Sequence, residues 1–244
     1  MPNMTLPPWI TARPIAHRGL FEARAGVPEN SLGAVRAAIE AGYPVELDLQ
    51  PAKDGVAIFH DRMLKRMTGR GGRIADVFVA DLKRQPLAGT GETIPSLEDV
   101  LGLVAGRIPL MLEIKNDGRA GAFERAVLER IAGYCGDLAV VSFNPFSLGW
   151  FARHAPKIPR GQTSARFDGS ELPAWRRFLQ RNLWLNAVSR PHFLLYELGA
   201  LPCRAVTRRR KRGMKVIAYT VRTAAEAVKA RSVADNFIFE GMRP

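Results

Sequence analysis

Short apolar runs alternate with helix-patterned stretches along most of this chain, and that alternation restricts the folds open to it. The runs Pro14–His17, Tyr43–Gln50, Ile108–Lys115, Leu138–Phe143, Ile158–Thr163, Leu183–Val188, Lys215–Val221 and Asn236–Glu240 read as strands. Between the first two, Ser31–Ala41 places Leu32, Val35 and Ile39 on one helical face, with Asn30 or Ser31 as cap and Gly42 as stop. Ser96, followed by Glu98 and Asp99, opens another helix. Helices are also expected over Phe123–Ala132, Phe146–His154, Ala174–Arg181, Arg204–Arg212 and Ala224–Ser232. Repeated strand–helix units make a parallel sheet. About eight of them in 244 residues point to an α/β, TIM-like (β/α)8 barrel forming one domain over 1–244. An open doubly wound sheet is the alternative. No GxGxxG or GxxxxGK[ST] motif follows the first strand, so a nucleotide-binding reading has little support.

One segment interrupts the alternation. Lys53-Asp54-Gly55 is a tight-turn signal, and Val56–His60 follows too closely for a helical crossover. Val56–His60 is therefore expected as the return arm of a hairpin that carries His60 back toward the mouth of the barrel. Residues 62–93, with Gly69, Gly71, Gly72, Gly89 and Gly91, read as an irregular insertion. Hairpin and insertion together, 54–94, form a candidate cap within the domain, after the second strand.

Barrels of this class carry their working residues at the C-terminal ends of the strands. The first strand here ends in His17-Arg18-Gly19, the second carries Glu46 and Asp48, and the third carries Glu113 and Lys115. Spacing by two puts each carboxylate pair on one strand face, while Leu47, Leu49, Leu112 and Ile114 face the helices. Three buried carboxylates would repel one another, and a bound divalent cation removes that cost. Oxygen ligands favour a hard ion, Mg²⁺ or Ca²⁺, over zinc. His17 and His60 fall at strand ends facing the same mouth and can divide acid and base duties. Arg18 and Lys115 suit the oxygens of an anionic phosphodiester. Asn30 is equally a helix cap or a group reaching the site. His154 and His192 have no such context and read as structural or surface residues.

Charge adds a weaker hint. The 36 Lys and Arg residues outnumber the 23 Asp and Glu, for a net charge of +13. Basic runs lie at Arg208–Arg212 and around Trp175-Arg176-Arg177-Phe178. Each run by itself reads first as a solvated helix face, the Arg208–Arg212 run ending at Gly213. As functional readings, a general attraction for phosphate-bearing ligands fits better than a dedicated nucleic-acid surface, and peripheral contact with an anionic membrane is a further reading. Two cysteines in unrelated contexts, Cys135 and Cys203, read as buried reduced thiols. The N-terminal stretch is broken by Pro2, Pro7, Pro8 and Pro14 and has no apolar run fit for a leader or a span, so a cytoplasmic protein is the expectation.

The ordered motifs His17-Arg18-Gly19, Pro28-Glu29-Asn30-Ser31, Glu46-x-Asp48, Lys53-Asp54-Gly55, His60-Asp61, Ile94-Pro95-Ser96-Leu97, Leu112-Glu113-Ile114-Lys115 and Ser142-Phe143 resemble those of the glycerophosphodiester phosphodiesterases. The resemblance spans nearly the whole chain. It implies a TIM barrel with a small inserted segment, and hydrolysis of a glycerophosphodiester to sn-glycerol 3-phosphate and an alcohol. It also implies that His17 and His60 act as general acid and base, that Glu46, Asp48 and Glu113 bind Mg²⁺ or Ca²⁺, and that Arg18 and Lys115 hold the phosphate. Attack by the substrate's own 2-hydroxyl, through a cyclic phosphate, is part of the same implication. The chain departs from the family pattern at Tyr219, where Trp is frequent, and at its ending Phe239-Glu240-Gly241-Met242-Arg243-Pro244. A lysophospholipase D-like enzyme acting on lipid phosphodiesters is the first alternative. A non-catalytic phosphate-ligand binding protein is the second.

Overall fold

The computed structural model describes residues 5–169 and 173–244. The first four residues of the N-terminal stretch, Pro2 among them, lie outside the described residues. Along the chain run α1 (Trp9–Ala12), β1 (Ile15–His17), α2 (Leu32–Ala41), β2 (Val45–Pro51), β3 (Val56–Ile58), α3 (Lys65–Thr68), α4 (Val79–Leu82), α5 (Leu97–Val104), β4 (Leu110–Ile114), α6 (Ala122–Ile131), β5 (Leu138–Ser142), α7 (Pro145–His154), β6 (Arg160–Ser164), α8 (Ala174–Arg181), α9 (Asn186–Ser189), β7 (Phe193–Glu197), α10 (Arg204–Arg210), β8 (Lys215–Val221), α11 (Ala224–Val233) and β9 (Asn236–Phe239). All strands but β3 belong to a parallel succession with helices between them, and the fold class is the TIM-type (β/α)8 barrel.

Two compact units make up the chain, Ile15–Leu138 and Met1–Pro14 with Ala139–Pro244. In the first, β2 pairs in parallel with β1 and β4, and Asp48 lies opposite Glu113. The hairpin arm β3 returns antiparallel to β2, with Leu49 opposite Ile58. Ser31, not Asn30, caps α2 by accepting from the Ala34 N–H, and Gly42 closes the helix in the left-handed region. Ser96 and Asp99 close a reciprocal capping box on α5. The insertion is more ordered than its composition suggests. Leu64, Ile74, Leu82, Leu87 and Ile94 pack with Ala57 and Phe59 of the hairpin arm into a core of their own, which supports α3 and α4.

In the second unit, β5 to β9 pair in parallel in sequence order. The expected strand Leu183–Val188 is a turn followed by helix α9. Its buried positions are Leu183, Asn186 and Ser189, a spacing of three that belongs to a helix rather than a strand. The strand is the apolar run Phe193–Glu197, set off by Pro191. A run without alternation is what a strand buried on both faces requires. Cys203 is half-buried and Cys135 is exposed, so neither is the buried thiol expected from the sequence. No helix among the described residues is long and apolar enough to cross a membrane.

His192 has a structural role and a measurable consequence. Its Nδ1 accepts from the Arg160 N–H at 3.0 Å, and its Nε2 lies 3.2 Å from Arg160 Nη2. Burial, and then the Arg160 guanidinium, push its pKa down from 6.5 to about 4. As pH falls below 6.5 the unfolded chain takes the proton first, so the stability from this group is full above that pH and lost toward pH 4. The group is half-buried, and solvent screening leaves an effect on the order of 1 kcal/mol. His192→Asn keeps an acceptor for the Arg160 N–H but does not titrate. Urea unfolding at neutral pH and at about pH 4.5 is expected to show a smaller acid loss in the variant, by on the order of 1 kcal/mol. An equal loss in both proteins would remove His192 as the cause.

Candidate active site

All eight residues singled out in the sequence belong to the Ile15–Leu138 unit. Strand β1 ends at His17, and the chain then turns through two left-handed residues, Arg18 (φ 56°) and Gly19 (φ 81°). That turn aims the Arg18 N–H at Glu46 Oε2, 3.2 Å away. Only glycine fits next: a Cβ on residue 19 would stand 2.8 Å from Ala34 Cβ and 3.0 Å from its carbonyl carbon, against the first turns of α2. His17 Nε2 lies 3.8 Å from Glu46 Oε2.

On β2 and β4, ligand oxygens of Glu46, Asp48 and Glu113 lie within 4.8 Å of one another, and all three residues are buried. Asp48 is fully enclosed. It meets Lys115 Nζ at 2.9 Å, Arg18 Nε at 3.2 Å and the Asn30 side-chain amide at 2.8 Å. Lys115 also meets Glu113 at 3.0 Å. Burial opposes the charge on Asp48, but Lys115 and Arg18 outweigh it and hold the carboxyl well below its usual range. Glu46 goes the other way: burial first, then the Asp48 and Glu113 carboxylates, push it well above its usual range. Burial would lower Lys115, yet Asp48 and Glu113 hold it firmly protonated.

His60 lies just beyond β3, its carbonyl held by the Gln50 amide at 2.9 Å. Its Nδ1 is 2.7 Å from Asp61 Oδ1. Asp61 in turn accepts from Arg66 Nε at 2.5 Å, Arg66 Nη2 donates to Glu29 at 2.6 Å, and Glu29 accepts from Arg18 at 2.8 Å. One chain of ion pairs thus links His60 to the carboxylate cluster. Sequence reasoning omitted Glu29, Asp61 and Arg66 from the site. Asp61 had a local signal, as the carboxylate beside a histidine. Arg66 had none, because it sits in the insertion and reaches both acids only through the placement of α3.

The site has more negative than positive fixed charge. Glu29, Asp48, Asp61 and Glu113 share Arg18, Arg66 and Lys115, and Glu46 joins none of these pairs; its burial beside Asp48 and Glu113 is a cost that a bound cation would relieve. Glu46 Oε1 and Glu113 Oε1 are buried and accept no hydrogen bond. Buried acceptors without donors are costly, and an all-oxygen set of this kind could hold a metal ion. The cluster therefore fits a hard cation. Tyr219, in the other unit, donates its hydroxyl to the Ser164 carbonyl at 2.9 Å and packs edge-on against Phe143.

Known proteins give this geometry a context. Residues 17–237 match the model of the glycerophosphoryl diester phosphodiesterase family. A glycerophosphodiester phosphodiesterase from Bacillus altitudinis is 36% identical over 59% of this chain, and the match spans 62% of that relative's length. A phosphodiesterase from Oleispira antarctica, solved in complex with the product sn-glycerol-3-phosphate, is 28% identical, covers 93% of this chain and 92% of its own, and superposes with a TM-score of 0.77. A glycerophosphodiester phosphodiesterase from Thermotoga maritima shares the fold, with 24% identity, 93% and 94% coverage and a TM-score of 0.70. The family match runs from the histidine that ends β1 into β9, through every residue of the charged cluster, and on that ground the chain belongs to the glycerophosphoryl diester phosphodiesterase family.

Proposed function

We propose that this chain hydrolyses glycerophosphodiesters to sn-glycerol 3-phosphate and an alcohol, with a divalent cation, Mg²⁺ or Ca²⁺, held by Glu46, Asp48 and Glu113. The observation that carries the reading is the buried carboxylate cluster, with two acceptor oxygens that lack donors, beside a histidine oriented by its own carboxylate. The product complex of the Oleispira relative supports the substrate class. When bound, the cation would neutralise phosphate oxygens as charge builds on them. Arg18 and Lys115 add fixed positive charge for the same oxygens, Arg18 with two donors side by side. Asn30 donates to Asp48 and so fixes that carboxylate's orientation.

His17 and His60 share the proton transfers. With Nδ1–H of His60 donating to Asp61, Nε2 carries the lone pair and can take or return a proton at the reacting oxygens. A 2-hydroxyl on the glycerol is a nucleophile already in place. One histidine deprotonates it as it attacks phosphorus and the other protonates the departing alcohol, which leaves a cyclic phosphate. Water, activated by the same pair with roles exchanged, opens that ring to sn-glycerol 3-phosphate. Arg66 clamps Asp61 and Glu29 from within the insertion, which supports 54–94 as a cap over the substrate. The long family match supports reading 1–244 as one phosphodiesterase domain.

The test is release of sn-glycerol 3-phosphate from glycerophosphocholine and glycerophosphoethanolamine, with Mg²⁺, with Ca²⁺ and with chelator. Cation-dependent release, lost in His17→Ala and in Glu46→Ala, is expected. Release that persists in chelator would rule out the cation, and release unaffected by His17→Ala would rule out the acid–base assignment.

A further inference from the structure

Helix α8 leaves large apolar side chains exposed. It buries none of its residues fully. Three of the seven large apolar side chains exposed among the described residues fall within ten positions here: Trp175 at 60%, Phe178 at 46% and Trp184 at 59%. Trp175 and Phe178 are three apart and share a helix face. Trp184 packs edge-on against Phe178, with centroids 5.3 Å apart, and extends the same ridge. The apolar side is not what holds the helix. Its end is tied down by main-chain carbonyls: Gln180 O accepts from Ser164 Oγ, Arg181 O from the Tyr196 hydroxyl, and Leu183 O from Arg209 Nη2. Anchoring through the backbone leaves the rings outward, where exposed apolar area of this kind marks a contact surface.

The two nearest stretches of chain are strongly basic. From Pro173 to Tyr196 the chain has four arginines and no acid, and Arg204–Lys215 carries seven cations and no acid. The Arg209–Leu183 hydrogen bond joins the second stretch to the first. Arg210 and Lys215 pair with Asp235, whereas Arg208, Lys211 and Arg212 are exposed, as are Arg176 and Arg181. Aromatic rings flanked by guanidinium groups suit a bilayer interface, with the rings at headgroup depth and the cations on the phosphates. Nucleic acid fits less well, because Phe178 and Trp184 meet edge to face and offer no parallel faces for stacked bases.

We infer that the ridge Trp175–Phe178–Trp184, with Arg176, Arg181 and the Arg208–Arg212 run, docks this protein on the surface of an anionic lipid bilayer. This docking does not depend on which diester is hydrolysed, nor on whether hydrolysis occurs. It places the protein peripherally, by partial insertion of three rings.

Vesicle co-sedimentation of the full chain tests it, using phosphatidylcholine alone and phosphatidylcholine with phosphatidylglycerol. Binding is expected only with phosphatidylglycerol, falling steeply as salt rises. Arg176→Glu with Arg181→Glu should weaken partitioning by roughly fivefold or more per charge removed. Trp175→Ala with Phe178→Ala and Trp184→Ala should weaken it by about tenfold or more. Brominated lipid should quench the tryptophan fluorescence of the wild type and not that of Trp175→Phe with Trp184→Phe. Near-ultraviolet circular dichroism and thermal unfolding check that each variant is folded. No binding to anionic vesicles, equal binding to neutral ones, or binding indifferent to the ring substitutions in folded protein would overturn the proposal. So would a protein that ignores vesicles but self-associates, or binds RNA, through the same residues.

Discussion

Replacing His60 by asparagine is expected to lower kcat by about 10²- to 10⁴-fold, the range that a positioned acid or base supplies, with KM changed little. Asparagine keeps a polar group for Asp61 but cannot cycle a proton near neutral pH. The fold should tolerate it, because the His60 side chain is 34% exposed and Asp61 retains Arg66. Asp61→Asn separates orientation from chemistry. The Asp61 carboxylate fixes Nδ1 as the protonated nitrogen, and an amide can present its own N–H there and reverse the tautomer. Its loss should fall in kcat, smaller than that of His60→Asn, and Asp61→Glu should recover part of it. Steady-state kinetics at saturating cation with glycerophosphocholine decide the matter. A His60→Asn enzyme within a few-fold of wild type would mean that another group moves the proton.

The sequence carried these expectations unevenly, for physical reasons. Glu46 and Asp48 were legible because a strand repeats every two residues, so two acids in Glu-x-Asp spacing share a face whatever the surroundings. Glu113 and Lys115 follow the same rule, and the register that sets Asp48 opposite Glu113 brought the two pairs together. The hairpin was legible from Asp54-Gly55 and the short distance to Val56. Asn30 could not be decided locally, since either it or Ser31 could cap α2. The structure gives the cap to Ser31 and frees Asn30 for Asp48. Leu183–Val188 failed because apolar density without a clear period does not separate a buried strand from a buried turn of helix. Glu29 and Arg66 were illegible in a stricter sense: 37 positions separate them, and only the core packed beneath the insertion brings them to 2.6 Å.

The same cluster should answer to two substitutions in opposite ways when no cation is present. Asp48→Asn removes the buried carboxylate on which Lys115 and Arg18 converge, and turns an amide toward those two cations and Asn30. Breaking a buried pair on one side typically costs about 3–5 kcal/mol, so thermal unfolding should move down by many degrees. Glu46→Gln removes the carboxylate that burial and its two acidic neighbours push up. A carboxyl whose folded pKa lies above its unfolded one costs stability once the pH exceeds the unfolded value. In chelator at neutral pH, Glu46→Gln should therefore match or exceed the wild type in thermal stability. Added Mg²⁺ or Ca²⁺ should raise the wild-type unfolding temperature and leave both variants almost unmoved, because ligand binding stabilises only a fold that still binds. Both should lose hydrolysis. The two measurements divide the cluster into a carboxylate that the protein's own cations satisfy and one held against repulsion for an ion. Equal destabilisation by both substitutions in chelator would remove that division, and Glu46 would then be one more member of a self-satisfied ion-pair network.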